Sequence, residues 1–336
     1  MMLDKPRLED EKIIACLQAD YGLAVTGLDF LPLGFDSYAG VYRVRADGQD
    51  YFLKVKSDPV SELSVLLPRY LKDQGMEQVV APLPTITQHL WGNVDRFTLI
   101  LYPFVEGQSG WDVGLSDGQW RMFGAALKRL HATRLPPELW NQMPKETFLP
   151  HPGWMAVIRQ LQATVGYRSY ENSFEQQLAA FWVDHHHEIG TIIDRAERLG
   201  RRLQSKSYAC VVCHADIHTA NLLVDGQDQF FIVDWDQPVL APKERDLMFV
   251  TVGGFAMEKR TESLFFEGYG KAEIDPLVMA YYRYERVMED LAAFAERVFA
   301  ADASDETKQD SVAWFMAQFA PGDVVEAAQK LDHVLS

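Results

Sequence analysis

The chain has 336 residues and a formal net charge of −16 at pH 7, with 48% hydrophobic and 12% aromatic residues. That length allows two lobes with a sizeable core, and the composition belongs to a globular chain, not a disordered one. So acidic a surface argues against nucleic acid or an anionic membrane as partner; it suits a cationic small molecule, and many of the charges simply keep the protein soluble.

The first ten residues are charged and lack an apolar core segment, so no signal peptide is expected there. No run of about 18 apolar residues occurs anywhere, so no membrane span is expected. Residues 8–20 carry Leu8, Ile13, Ile14 and Leu17 near helical spacing and read as a short amphipathic helix. Three strands follow, at Leu28–Leu33, Gly40–Ala46 and Tyr51–Lys56, the last two joined by an Asp47-Gly48 hairpin turn. Alternation in the third strand puts Phe52, Lys54 and Lys56 on one face and Tyr51, Leu53 and Val55 on the other. Ser61 caps a helix ending near Gly75, with Pro68 expected to strain or shorten it. Val79–Pro84 and Arg96–Leu101 complete a five-stranded, largely antiparallel sheet.

Tyr102-Pro103-Phe104-Val105-Glu106-Gly107 breaks the strand pattern, because Pro103 lacks a donor and Gly107 ends the run. The lobe boundary is placed there: a nucleotide-binding lobe at 1–101, a hinge at 102–107 and a helical catalytic and acceptor-binding lobe at 108–336. Ser116-Asp117-Gly118-Gln119 is a capping box for a helix running to about Arg134. A long helical stretch is expected from Phe174 to Leu203. It includes His185-His186-His187, which point in different directions and cannot ligate one ion. Further helices are expected after Pro242, from Asp275-Pro276 to about Ala300, and over 307–318 and 322–335.

The chemistry concentrates between residues 208 and 236, read as a β hairpin. One apolar run leads into His214-Ala215-Asp216, with Asn221 five residues after Asp216; a second leads into Asp234-Trp235-Asp236, thirteen residues after Asn221. Phosphoryl transfer to an alcohol is mainly positioning and neutralisation of phosphate charge. Asp216 can orient a substrate hydroxyl and accept its proton. Asn221 and Asp234 offer the oxygen ligands that Mg²⁺ on ATP phosphates requires. His214 can brace the loop through neighbouring backbone. His218 either touches the phosphate region or serves as a structural hydrogen-bonder, the second being the commoner use of a loop histidine. Asp236 either joins Asp234 as a metal ligand, stands behind the metal ligands or caps the following turn.

On the nucleotide side, Lys54 is the candidate for the ATP α- and β-phosphates, with Glu62 as its expected ion-pair partner from the following helix. The loop at 33–40 is expected to cover the phosphates with backbone N–H groups and Ser37. Tyr102 C=O and Phe104 N–H can pair with the edge of adenine. Cys210 and Cys213 form a Cys-x-x-Cys in an apolar strand with no second pair, and buried thiols are expected there. Three cysteines without a disulfide framework fit a reducing cytoplasm.

Taken together, His214-Ala215-Asp216-Ile217-His218-Thr219-Ala220-Asn221-Leu222-Leu223 and Ile232-Val233-Asp234-Trp235-Asp236 resemble the aminoglycoside phosphotransferases. Within that family the chain is most similar to the spectinomycin phosphotransferase branch. That resemblance runs through Trp235–Phe249, Phe266-Glu267-Gly268-Tyr269-Gly270, Tyr281–Arg286, Tyr51-Phe52-Leu53-Lys54 and Tyr102-Pro103-Phe104. It implies an α+β, bilobal protein-kinase-like fold, with a small antiparallel-sheet lobe and a larger helical lobe. It also implies ATP- and Mg²⁺-dependent O-phosphorylation of an aminocyclitol, most closely spectinomycin. Asp216 would then be the base, Asn221 and Asp234 the metal ligands and Lys54 the phosphate contact. The loop motif is shared with choline, methylthioribose, homoserine and fructosamine kinases, so a metabolic small-molecule kinase is the alternative. A protonated acceptor prefers an acidic, aromatic-lined site, and Tyr281 and Glu285 are the candidates, against the plainer reading of the tyrosines as core. No protein partner is evident. Only five residues separate Asp236 from Pro242, too few for the activation segment of a protein kinase.

Overall fold

The computed structural model of the chain describes residues 5–32, 39–57, 59–251, 258–301 and 303–332. The chain forms two compact units. One holds residues 1–144 and 214–238, and the other holds 145–213 and 239–336. The fold is α+β, an antiparallel sheet in the N-terminal part followed by mostly helical structure.

The first unit is built on a five-stranded sheet. Its strands are β1 (Val25–Leu31), β2 (Ala39–Ala46), β3 (Gln49–Lys56), β4 (Gly92–Val94) and β5 (Phe97–Pro103), in the spatial order β1-β2-β3-β5-β4. Alternation decides what each face does. Tyr42, Val44, Leu53, Val55, Leu99 and Leu101 turn to one side and pack on Ile13, Cys16 and Leu17 of helix α1 (Asp10–Tyr21). Each fully buried aliphatic side chain in that layer contributes about 1.5–3 kcal/mol of transfer free energy. The opposite face carries Val41, Lys54 and Ile100 in one cross-strand row and Arg43, Phe52 and Tyr102 in the next.

The expected strand at Val79–Pro84 does not form. Pro82 and Pro84 have no N–H to give a ladder, and only Val79 makes a bridge, to Ile232. The fifth strand is Gly92–Val94 instead. Helix α2 (Leu63–Asp73) contains Pro68 and starts late enough to keep it in its second turn. The capping box at Ser116 and Gln119 forms with both of its hydrogen bonds and opens the helix Asp117–His131.

The segment 214–238 belongs to this unit through several contacts. Its strand Leu222–Asp225 pairs with Gly107–Ser109 on one side and with Phe230–Ile232 on the other. Ile232 exchanges backbone hydrogen bonds with Gln78 and Val80, and the Phe230 ring meets Phe123 edge-on. The hairpin is therefore 222–232. The apolar run Val211–Cys213, expected to be its first strand, pairs with Val239–Ala241 in the second unit.

The second unit is helical, with its longest helix, Pro276–Phe299, buried around most of its circumference. Asp275 caps it through the N–H groups of Leu277 and Val278, with Pro276 in the first turn. The stretch expected as one helix over 174–203 is two, Ser173–Asp184 and His186–Gln204, broken at His185, whose ring stacks on Phe181. The thiol of Cys213 is buried and that of Cys210 exposed, and neither is in a disulfide.

Tyr281 and Glu285 sit inside this unit, 0% and 7% exposed. The Tyr281 hydroxyl donates to Glu285 Oε1 at 3.3 Å, and Arg245 Nη1 donates to Oε2 at 3.3 Å. Neither residue presents a free polar group to an acceptor, which corrects the assignment suggested by the helix face. Burial pushes the Glu285 carboxyl up to about 7, with Arg245 pulling the other way. The native state then keeps a proton that the unfolded chain, with a carboxyl at 4.5, has released, so stability falls as pH rises between those values. Denaturant melts from pH 4.5 to 7.5 are expected to show wild type losing on the order of 3 kcal/mol relative to Glu285→Gln. Parallel pH profiles for the two proteins would remove that role for Glu285.

Candidate active site

The loop after Cys213 is held by a histidine whose tautomer is set by its partners. His214 Nε2 lies 3.0 Å from the Val233 carbonyl oxygen and donates to it, while Nδ1 accepts from the Asp216 N–H at 3.3 Å. The ring packs against the Trp235 indole with centroids 4.5 Å apart, and the indole N–H donates to the Ile232 carbonyl. Val233 N–H donates to the Asn221 carbonyl at 3.0 Å. Residues 214–221 and 232–235 are thereby stitched together.

Within this frame Asn221, buried, donates from Nδ2 to the Asp216 carbonyl at 2.8 Å and to Asp216 Oδ2 at 3.1 Å. His218 Nε2 lies 3.4 Å from Asp216 Oδ1. The Asp216 side chain keeps 38% of its surface exposed. Gly110 backs the loop. A Cβ there would stand 3.0 Å from the Thr219 carbonyl oxygen, tighter than ordinary packing allows.

Two non-glycine residues in the site take the left-handed conformation, Ala215 at φ 74° and Asp234 at φ 65°. The conformation costs an alanine about 1–2 kcal/mol and an aspartate less. Strain of this kind persists only where surrounding bonds fix it, and here the His214 and Asn221 bonds do so.

Across the same unit, Lys54 Nζ makes three short contacts: Asp234 Oδ1 at 3.0 Å, Asp236 Oδ1 at 3.0 Å and Asp236 Oδ2 at 2.9 Å. Lys56 Nζ reaches Asp236 Oδ2 at 3.3 Å. Burial works against the Lys54 charge, and the carboxylates of Asp234 and Asp236 overcome it, holding the ammonium above its ordinary pKa. Burial likewise works against the Asp236 charge, and Lys54 and Lys56 hold its carboxyl below the usual range. Burial pushes the Tyr102 hydroxyl upward, so it stays a neutral donor beside this cluster.

Glu62, the expected partner of Lys54, is exposed at the N-terminal edge of α2. The correction has a plain cause. Helix α2 starts after Glu62, and two carboxylates from 234–236 already occupy the ammonium. Tyr102 and Phe104 lie at the end of β5 and just beyond it, with the Arg43 guanidinium 4.6 Å over the Phe104 ring and Arg43 Nε bonded to Asp50 at 2.8 Å. Ser37 lies outside the described residues. Lys56 carried no role in the sequence, although its position two residues after Lys54 put it on the same face.

Oxygen atoms suited to a hard cation are present in Asn221 and Asp234. The amide bonds of Asn221 to Asp216 use its nitrogen, so Oδ1 is the atom that could ligate a cation, and Asp234 keeps 46% of its side chain exposed. Such a donor set fits Mg²⁺. No described helix is long and apolar enough to cross a membrane.

Comparison with known proteins gives consistent findings. Residues 29–288 match the model of the phosphotransferase enzyme family. Over 284 residues the chain is 26% identical to Protein StrN of Streptomyces griseus, covering 79% of this chain and 84% of StrN. Among solved structures, spectinomycin phosphotransferase APH(9)-Ia in complex with ADP and spectinomycin superposes with a TM-score of 0.87 at 29% identity, covering 98% of this chain and 99% of that one. The AMP-bound complex of the same enzyme superposes with a TM-score of 0.82 at 28% identity, covering 95% and 98%.

Proposed function

The chain belongs to the phosphotransferase enzyme family, and on that premise we propose that it moves the γ-phosphate of ATP to a hydroxyl of an aminocyclitol antibiotic, spectinomycin first among them. The observation that carries the reaction is the Asp216–Asn221 pair in one compact unit with the Lys54–Asp234–Asp236 cluster. What favours the acceptor is the near full-length likeness to the spectinomycin enzyme.

In this reading residues 1–101 form the nucleotide-binding lobe, 102–107 the hinge and 108–336 the catalytic and acceptor-binding part. Tyr102 C=O and Phe104 N–H face the base. Lys54 holds the phosphates, and Asn221 Oδ1 with an Asp234 oxygen would hold Mg²⁺. A bound Mg²⁺ would neutralise charge on the phosphate oxygens.

Asp216 accepts a hydrogen bond from the acceptor hydroxyl and takes its proton as the oxygen bonds to the γ-phosphorus. The bond from that phosphorus to the bridging oxygen breaks, and ADP leaves. Asn221 Nδ2 keeps Asp216 oriented by its bond to Oδ2, so the proton-accepting atom does not swing away. An ATP-consuming reaction and three free thiols fit a reducing cytoplasm.

An ADP-release assay across spectinomycin, kanamycin, choline, methylthioribose and homoserine tests the acceptor. Turnover with spectinomycin, and activity at least about tenfold lower on the non-aminocyclitols, is the expected outcome, the discrimination that one unpaired buried polar group brings. Turnover only with choline, methylthioribose or homoserine would replace the antibiotic reading by a metabolic one.

A further inference from the structure

Lys54 carries a largely enclosed ammonium, its side chain 12% exposed, whose value to a nucleotide depends on where it points. A strand lysine has four rotatable bonds, so a carboxylate must fix its end before phosphate arrives. The residue expected to do so, Glu62, is exposed and outside the cluster. Asp234 presents a single oxygen to Lys54 and is 46% exposed. Its remaining oxygen and its exposure suit it to a cation that would draw it away from Lys54.

Asp236 is placed differently. Both its oxygens lie within 3.0 Å of Lys54 Nζ, and Oδ2 is also 3.3 Å from Lys56 Nζ. Lys56 is 8% exposed and comes from the same face of β3, two residues on. One carboxylate therefore spans two ammonium groups held by one rigid strand. We propose that Asp236, braced by Lys56, is the positioning residue that fixes the Lys54 ammonium for the nucleotide phosphates, in the role expected of Glu62.

The proposal rests on the phosphate role given to Lys54 above, and its test separates the two. In the nucleotide-free full-length protein, the acylation rate of Lys54 by an amine-reactive ester is followed by peptide mass spectrometry. An ammonium gripped by a carboxylate is shielded from the ester, and loosening it exposes the amine. Asp236→Asn is expected to speed that labelling by roughly tenfold, the worth of one charge-assisted hydrogen bond. ADP titrations are expected to weaken by roughly 10- to 100-fold, the worth of a charge-assisted hydrogen bond. Asp236→Glu is expected to recover part of both effects, and Lys56→Met to give a smaller loss in the same direction.

Unchanged Lys54 labelling in Asp236→Asn overturns the proposal, as does a larger effect on ADP affinity from Glu62→Gln than from Asp236→Asn. Faster Lys54 labelling with unchanged ADP affinity supports the clamp and overturns the phosphate role of Lys54.

Discussion

Asp216→Asn is expected to lower kcat by about 10²–10⁴, the usual contribution of a positioned general base, while ADP affinity stays within a few-fold of wild type. The substitution keeps the shape of the side chain. Its amide oxygen can still accept the Asn221 Nδ2 hydrogen bond now made to Oδ2, so the loop is expected to hold. What is lost is the capacity to take a proton. Steady-state ADP release with saturating acceptor, alongside an ADP titration, separates the two effects. A near wild-type kcat would show that the hydroxyl proton leaves by another route, and His218 Nε2 lies 3.4 Å from Asp216 Oδ1.

Asp234→Asn is expected to cost about 10²–10³ in kcat at standard Mg²⁺, the scale of removing one preorganised electrostatic group, and to move the Mg²⁺ requirement to higher concentration. Two consequences combine in it. A neutral amide is a weaker ligand for a hard cation than a carboxylate, and Lys54 loses one of its two anionic partners. The second effect weakens nucleotide binding even without metal, so ADP titrations with and without Mg²⁺ distinguish them. An unaltered Mg²⁺ titration curve would take Asp234 out of the metal site.

Much of this arrangement was legible in the chain itself, and the exceptions have physical causes. Period-two alternation in Tyr51–Lys56 was enough to divide Leu53 and Val55 from Lys54 and Lys56, and the first pair packs on α1. The loop at 214–221 could be read because its residue types and spacing carry chemistry. The partner of Lys54 could not be read, because ion pairs across 180 residues leave no local pattern. Nor could the left-handed backbone at Ala215 and Asp234, since neither is a glycine and the strain is imposed by bonds from elsewhere.

Pro82 and Pro84 oppose the strand that the apolar pattern of 79–84 suggests, because neither has an N–H to give a ladder. The Tyr281 and Glu285 misassignment has another origin. Helical periodicity identifies an apolar face only when another face meets water, and Pro276–Phe299 is enclosed on nearly every side.

The first compact unit is assembled from two stretches separated by 69 residues, 145–213. During synthesis its sheet emerges first, but the strand partner of Gly107–Ser109 and both carboxylates facing Lys54 do not exist until residues near 238 are made. At about 5–20 residues per second the ribosome leaves that half-built unit waiting for roughly 5–20 seconds. Through that interval the Gly107–Ser109 edge is unpaired and Lys54 stands without its acids. A nascent chain stalled between 145 and 238 is therefore expected to be more open to proteolysis than the completed chain, which limited proteolysis of stalled chains checks.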